Sequence, residues 1–160
     1  MINVGIVGSE EKYWTESQKG LVYEKILEIL GSYDYPILIS GGCPSGGVDI
    51  WAEEVASDLK IERVIHYPEV QRWNSVATFD GRVLRGYKTR NIEIAEQSDV
   101  LYDIEPEFVD HDVTKFGDKV EYDWNTGKYY RRSGGTWTMR HAQNHLHKET
   151  YLVIIPYVDQ

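Results

Sequence analysis

Two spacings of apolar residues take turns along this chain. Ile2 to Val7 is a short run of mostly β-branched residues ending on glycine, the signature of a strand buried on both faces. Ser17 to Leu30 then carries a helical stripe through Leu21, Val22, Ile26, Ile29 and Leu30, with Gly31 as its stop. Pro36 to Ser40 predicts a second strand, and Val48 to Leu59 a second helix through Val48, Ala52, Val55 and Leu59. Glu62 to Tyr67 is the third predicted strand, and a polar stretch rich in aromatics follows to about Arg82. A helix over Val83 to Ser98, a strand over Asp99 to Ile104, a helix over Thr136 to His147 and a strand over Thr150 to Ile155 complete the series. Strand and helix in alternation predict an α/β fold: a Rossmann-like, doubly wound, mainly parallel five-stranded sheet with helices on both faces.

One segment departs from this rhythm. Across Asp118 to Arg132, Val120, Tyr122 and Trp124 alternate with Glu121 and Asp123, and Asn125-Thr126-Gly127 then turns the chain into Lys128-Tyr129-Tyr130-Arg131-Arg132. A period of two around such a turn predicts an inserted β-hairpin over residues 118–132. Its position overhangs the carboxyl ends of the parallel strands, so it serves either as a lid or as cover for a sheet edge, its own or another subunit's. The chain contains no internal repeats or low-complexity tracts, and residues 1–160 are expected to form a single domain.

Composition narrows the partners. With 17 Lys plus Arg against 26 Asp plus Glu the formal charge is −9, so the global field repels nucleic acid and anionic membranes, and any phosphate must be held locally. A lone cysteine excludes an internal disulfide framework and suits a reducing compartment, which makes the cytoplasm the expected location. No window approaches a membrane span, and the chain opens without a basic region or long apolar stretch.

The candidate chemistry lies at three strand-to-glycine junctions. The second strand empties into Gly41-Gly42-Cys43-Pro44-Ser45-Gly46-Gly47 ahead of a helix; the first ends on Gly8-Ser9; and Ser133-Gly134-Gly135-Thr136 opens the last helix. Glycines let backbone approach a ligand and leave amide groups uncovered at helix starts, where anions bind. Right-handed crossovers bring all three junctions to one rim, which predicts one pocket for a phosphate-bearing guest. Asp49, in a first helical turn, either caps amides or accepts from ligand hydroxyls. Arg90-Asn91 lies among Arg82, Arg85 and Lys88, with Arg90 suited to bidentate phosphate pairing and Asn91 unfavourable in mid-helix, while Arg82 and Lys88 suit a solvated face. Cys43 fits a packing residue better than a nucleophile, for no base accompanies it. His141 and His145 are four apart, yet the stripe Met139, Ala142, Leu146 turns both toward solvent, and no metal site is expected. Trp73, Phe79 and Tyr87 offer rings for stacking on a base, or for the core.

Taken in order, Gly8-Ser9, Ser40-Gly41-Gly42 through Gly46-Gly47-Val48-Asp49, Arg90-Asn91, and Ser133-Gly134-Gly135-Thr136 with Ala142 resemble the SLOG group of Rossmann-like nucleotide-binding proteins. That group takes in YspA-like and molybdenum-cofactor-carrier-like proteins, the LOG phosphoribohydrolases and, more distantly, DNA-processing protein A. The resemblance spans nearly the whole chain apart from the hairpin. It implies a nucleotide or nucleotide-derived ligand in a sensor- or carrier-type protein, a homo-oligomer, no required cofactor beyond such a bound nucleotide, and contacts from Gly8, Ser9, Gly41, Gly42, Gly46, Gly47, Asp49, Arg90, Asn91, Ser133, Gly134, Gly135 and Thr136. Two departures stand out. Glu10 occupies the place of an arginine common in YspA-like members, and Gly135-Thr136 runs into Trp137-Thr138-Met139, without the glutamate that follows closely in LOG enzymes. The alternative activity is N-glycosidic cleavage of nucleoside monophosphates, with Asp49, Glu53 or Glu93 replacing that glutamate; single-stranded DNA binding ranks behind it on charge.

Overall fold

The computed structural model describes residues 1–109, 116–117 and 119–158. Its centre is a five-stranded parallel sheet in the order β3-β2-β1-β6-β9, built from β1 (Ile2–Gly8), β2 (Pro36–Ser40), β3 (Glu62–Ile65), β6 (Val100–Pro106) and β9 (Glu149–Ile155). Helices α1 (Glu16–Gly31) and α2 (Val48–Asp58) cover one face, while α3 (Tyr87–Gln97) and α4 (Gly134–Leu146) cover the other. The alternation within β1 explains the double cover: Val4 and Ile6 enter the core with Val22, Ile26, Trp51 and Val55, whereas Val7 joins Ile94, Leu101 and Met139 on the opposite side. This is the Rossmann-like, doubly wound architecture that the pattern predicts. The chain winds outward from β1 through β2 to β3, then crosses to β6 and β9, so β1 and β6 flank the point where winding reverses.

Local chemistry sets the ends of the elements. Thr15 caps α1 in a reciprocal box: the Gln18 amide donates to Thr15 Oγ1 at 3.1 Å, and the Thr15 amide donates to Gln18 Oε1 at 3.0 Å. Ser133 and Thr136 form the equivalent box at α4.

At the third helix the structure corrects the sequence-based expectation. The helix foreseen from Val83 starts at Tyr87, because Val83–Leu84 forms a strand (β5) antiparallel to Val76–Ala77 (β4). Gly86 makes this possible: a Cβ there would meet the Arg72 and Asn74 carbonyl oxygens at 2.6 and 2.7 Å, so the loop folds tightly against the helix start. The expected hairpin is present as β7 (Val120–Asp123) and β8 (Lys128–Arg131), paired from Val120 with Arg131 to Asp123 with Lys128. Asp118, its expected first residue, lies outside the described residues. The Phe108 amide donates to the Tyr129 carbonyl at 2.7 Å and Glu107 bridges Tyr130, so the hairpin is docked just beyond the carboxyl end of β6. Among the described residues no helix is long and apolar enough to cross a membrane.

Candidate functional site

A cavity of about 190 Å³ opens where the carboxyl ends of the strands meet the starts of α2 and α4. From the end of β1 come Val7, Gly8 and Glu10; from the second junction, Cys43 and Asp49; from α3, Tyr87, Arg90, Asn91 and Ile94. Ser133, Gly134, Gly135 and Thr138 line it from α4, Lys119 and Arg131 from the hairpin, and Trp73 from the loop before β4. The first and third junctions line it with their own glycines, and the second reaches it through Cys43 and Asp49. The place is physically reasonable, since open α/β sheets bind ligands where the winding direction changes.

The expected contact residues divide into a wall and its backing. Gly8, Asp49, Arg90, Asn91, Ser133, Gly134 and Gly135 line the cavity, whereas Ser9, Gly41, Gly42, Gly46, Gly47 and Thr136 sit behind it. Three amides of the long glycine loop are spent within the protein: Gly42 donates to Glu53 Oε2 at 3.1 Å, Gly46 to the Cys43 carbonyl at 3.1 Å and Val48 to the Ser9 carbonyl at 3.2 Å. Its glycines serve close packing. Gly47 has φ 91° and a Cβ there would run into the backbone of Ser9 and Glu10, which locks the first junction against the second. At α4, Ser133 Oγ accepts from the Gly135 amide at 3.0 Å, so the cap occupies one of the helix-start donors. Gly135 itself lies against β1: an added Cβ would stand 2.8 Å from the Gly8 nitrogen and 2.9 Å from Asp103 Oδ1.

Arg90 is 6% exposed and holds two parts of the wall together. Its Nε donates to Asn91 Oδ1 at 2.8 Å and its Nη1 donates to the Gly41 carbonyl, while Tyr87 places its ring 5.4 Å from the guanidinium carbon. The mid-helix asparagine is thereby accounted for as a brace for Arg90. Burial pushes the Asp49 carboxyl up to about 6, with the Arg90 charge pulling the other way and Glu53 adding to the rise. Glu53, raised chiefly by burial, accepts from Ser40 Oγ at 2.6 Å as well as from Gly42, which makes it a brace of the glycine loop. Glu93 pairs with Arg85 at 3.1 Å and His66 at 3.5 Å, away from the cavity. Burial and the neighbouring Asp49 push the Cys43 thiol up, opposite to what an activated nucleophile needs.

Behind Ser9 lies a polar knot that the sequence patterning did not reveal. Glu105, fully buried, accepts from Ser9 Oγ and Ser133 Oγ, and from Thr136 Oγ1 at 3.3 Å; Arg131 Nη1 in turn donates to Ser9 Oγ at 2.9 Å. Asp103, two residues earlier and also fully buried, has its carboxyl raised well above the ordinary range by burial and by Glu105 beside it; burial raises Glu105 too. Burial thus pushes both carboxyls toward the protonated form. The signal available in sequence was two acids at alternate positions of a central strand, but the strand predicted to end at Ile104 left Glu105 outside it.

Arg131, Lys119 and Glu10 also escaped selection as contacts. Of the rings, Trp73 and Tyr87 line the cavity, and Phe79, 112% exposed, does not. His145 faces solvent as expected, but His141 is half-buried, stacked on Trp137 at 5.3 Å. Among the described residues no group of three His, Cys, Asp or Glu side chains could hold a metal ion.

Fold and cavity together define a Rossmann-like α/β protein with a pocket at its switch point. Among solved structures it is similar to TM1055, a structural-genomics target, with a TM-score of 0.57 and 15% identity over 94% of this chain and 72% of that one. It is also similar to DNA processing protein A from Helicobacter pylori, a protein with a single-stranded DNA binding mode, with a TM-score of 0.54 and 15% identity; this chain spans 64% of its length. At such identity the likeness is one of fold. No family model matches the sequence, and no curated protein matches it significantly.

Proposed function

We propose that the chain binds a nucleotide or nucleotide-derived phosphate ligand in the cavity at the carboxyl ends of β1 and β6, as a sensor or carrier of the SLOG type. One observation carries this: in a protein of net charge −9, three cations, Arg90, Arg131 and Lys119, line the same cavity as the glycine-rich start of α4. A guest there meets guanidinium groups for its phosphate and the rings of Trp73 and Tyr87 for a base. The cavity lies below the roughly 300–1,000 Å³ of drug-sized sites, so a guest must be small or leave part of itself outside. Calorimetry and thermal-shift assays of the full chain against nucleoside mono- and diphosphates, ADP-ribose derivatives and cyclic nucleotides test it. A ligand at a hundredfold excess over its Kd adds about 2.7 kcal/mol of stability. No binding and no shift across the series would sink the proposal.

Asp49 favours a second reading, N-glycosidic cleavage of a nucleoside monophosphate, because a cavity carboxyl that titrates near 6 suits proton transfer at neutral pH. Release of free base from nucleoside monophosphates, abolished in Asp49→Asn, would favour turnover; tight binding without release would favour the carrier. Single-stranded DNA belongs in the same assays, and strong, salt-sensitive retention of an oligonucleotide would move the assignment toward nucleic acid.

A further inference from the structure

Arg131 ends β8 and stands in the cavity wall only 7% exposed. The face of its guanidinium lies on Tyr13, with Cζ 3.4 Å from the ring centroid, and Nη1 donates to Ser9 Oγ. Its buried Nε meets no acceptor among the described residues, and the Glu105 carboxylate reaches it only through Ser9 Oγ and as a nearby charge, without a direct ion pair. A desolvated charge in that condition is costly unless an anion joins it. Arg90 differs, for its Nε and Nη1 already serve Asn91 and Gly41. The amides of Gly42, Gly46 and Val48 are likewise engaged. Stacking on Tyr13 uses only the flat face of the guanidinium, while the N–H groups that grip phosphate lie along its edge.

We infer that Arg131, carried in by the hairpin, grips the phosphoryl group of the cavity's guest, and that a seated phosphoryl group pins the hairpin across the strand ends. This rests on the nucleotide-binding proposal above and adds the anchoring residue and its mechanical effect. The pull is transmitted because β8 is paired to β7 through Arg131 and Val120, and is tied to the segment after β6 through Tyr129 and Tyr130.

The test uses the full chain with ¹⁵N-labelled arginine, titrated with AMP and separately with inorganic phosphate. The Arg131 Nε–H resonance, assigned by its loss in Arg131→Lys, should shift on saturation with either, and amide exchange across residues 120–131 should slow at least several-fold. Arg131→Gln should weaken AMP about 10- to 100-fold, as the loss of a charge-assisted hydrogen bond does. Arg131→Lys should fall between that variant and the parent, and Arg82→Gln, at an exposed position away from the cavity, should match the parent. If AMP binds the parent while Arg131→Gln keeps its affinity within twofold, the inference is overturned and the nucleotide proposal survives. If no nucleotide binds but phosphate moves the Nε–H signal, the anion site stands and the nucleotide proposal fails. Should Arg131→Gln not fold, the resonance in the parent decides alone: an unmoved signal at saturating AMP refutes the inference.

Discussion

Asp49 and Gly135 show how much a single residue can carry here. The Asp49 carboxyl, ordinarily at 3.8, is pushed up to about 6 by burial, so the fold prefers it protonated. The stability it contributes is complete below its unfolded value and is lost as pH rises through about 6. Asp49→Asn should therefore be stabilised over the parent by about 1–3 kcal/mol at pH 8 and by nearly nothing at pH 3.5, read from urea unfolding at both pH values. Gly135→Ala tests packing instead. With the Gly8 nitrogen and Asp103 Oδ1 both within 3 Å of the new methyl, it should lose about 1–3 kcal/mol by thermal or urea unfolding. At this scale the sequence was informative about glycines and blind to their partners. The Gly-Gly pairs were visible, but whether Gly42 faced a ligand or the Glu53 carboxylate depended on a helix folding back eleven residues later.

The hairpin is the element that carries Arg131 to the cavity, and its own attachment rests on Glu121. Glu121 on β7 accepts from Arg140 of α4 through both carboxylate oxygens, from Arg132 at 3.3 Å and from Tyr130 Oη at 3.2 Å. The Arg140 guanidinium holds the Glu121 carboxyl below its usual range, so this tie persists above the ordinary carboxylate pKa and is lost as pH falls through the depressed value. Glu121→Gln should speed amide exchange across 120–131 at neutral pH, a local loss of about 1 kcal/mol, and its difference from the parent should shrink as pH falls through the depressed value. Elements were more legible than contacts. β2 falls on Pro36–Ser40 as the pattern dictates, and the hairpin follows its Asn-Thr-Gly turn, because both are set by local spacing. The start of α3 was not legible: Val83 and Leu84 extend the apolar pattern of the helix, and only Gly86, pressed on the carbonyls of Arg72 and Asn74, separates them. Arg131 stayed hidden for a related reason, since nothing local distinguishes it from exposed Arg132 until the hairpin docks on β6.

For the molecule as a whole, buried acids and net charge act in the same direction. Asp49, Glu53, Asp103 and Glu105 all have carboxyls raised by burial, and each contributes stability that fades as pH rises through its own raised value. Repulsion at a net charge of −9 also grows as carboxyls ionise. The unfolding free energy should accordingly be greater at pH 5 than at pH 8, by about 2 kcal/mol or more, in matched urea titrations. A parent protein equally stable at both would show that these acids are hydrated in solution.

Trp73 meets Trp137 edge-on, with ring centroids 5.0 Å apart and planes at 89°, one indole on the cavity surface and the other on α4. Two chromophores held at that angle couple their transitions and give a near-ultraviolet circular dichroism band that depends on their mutual pose. A guest touching the outer indole would alter the band, so near-ultraviolet circular dichroism would follow occupancy without a label.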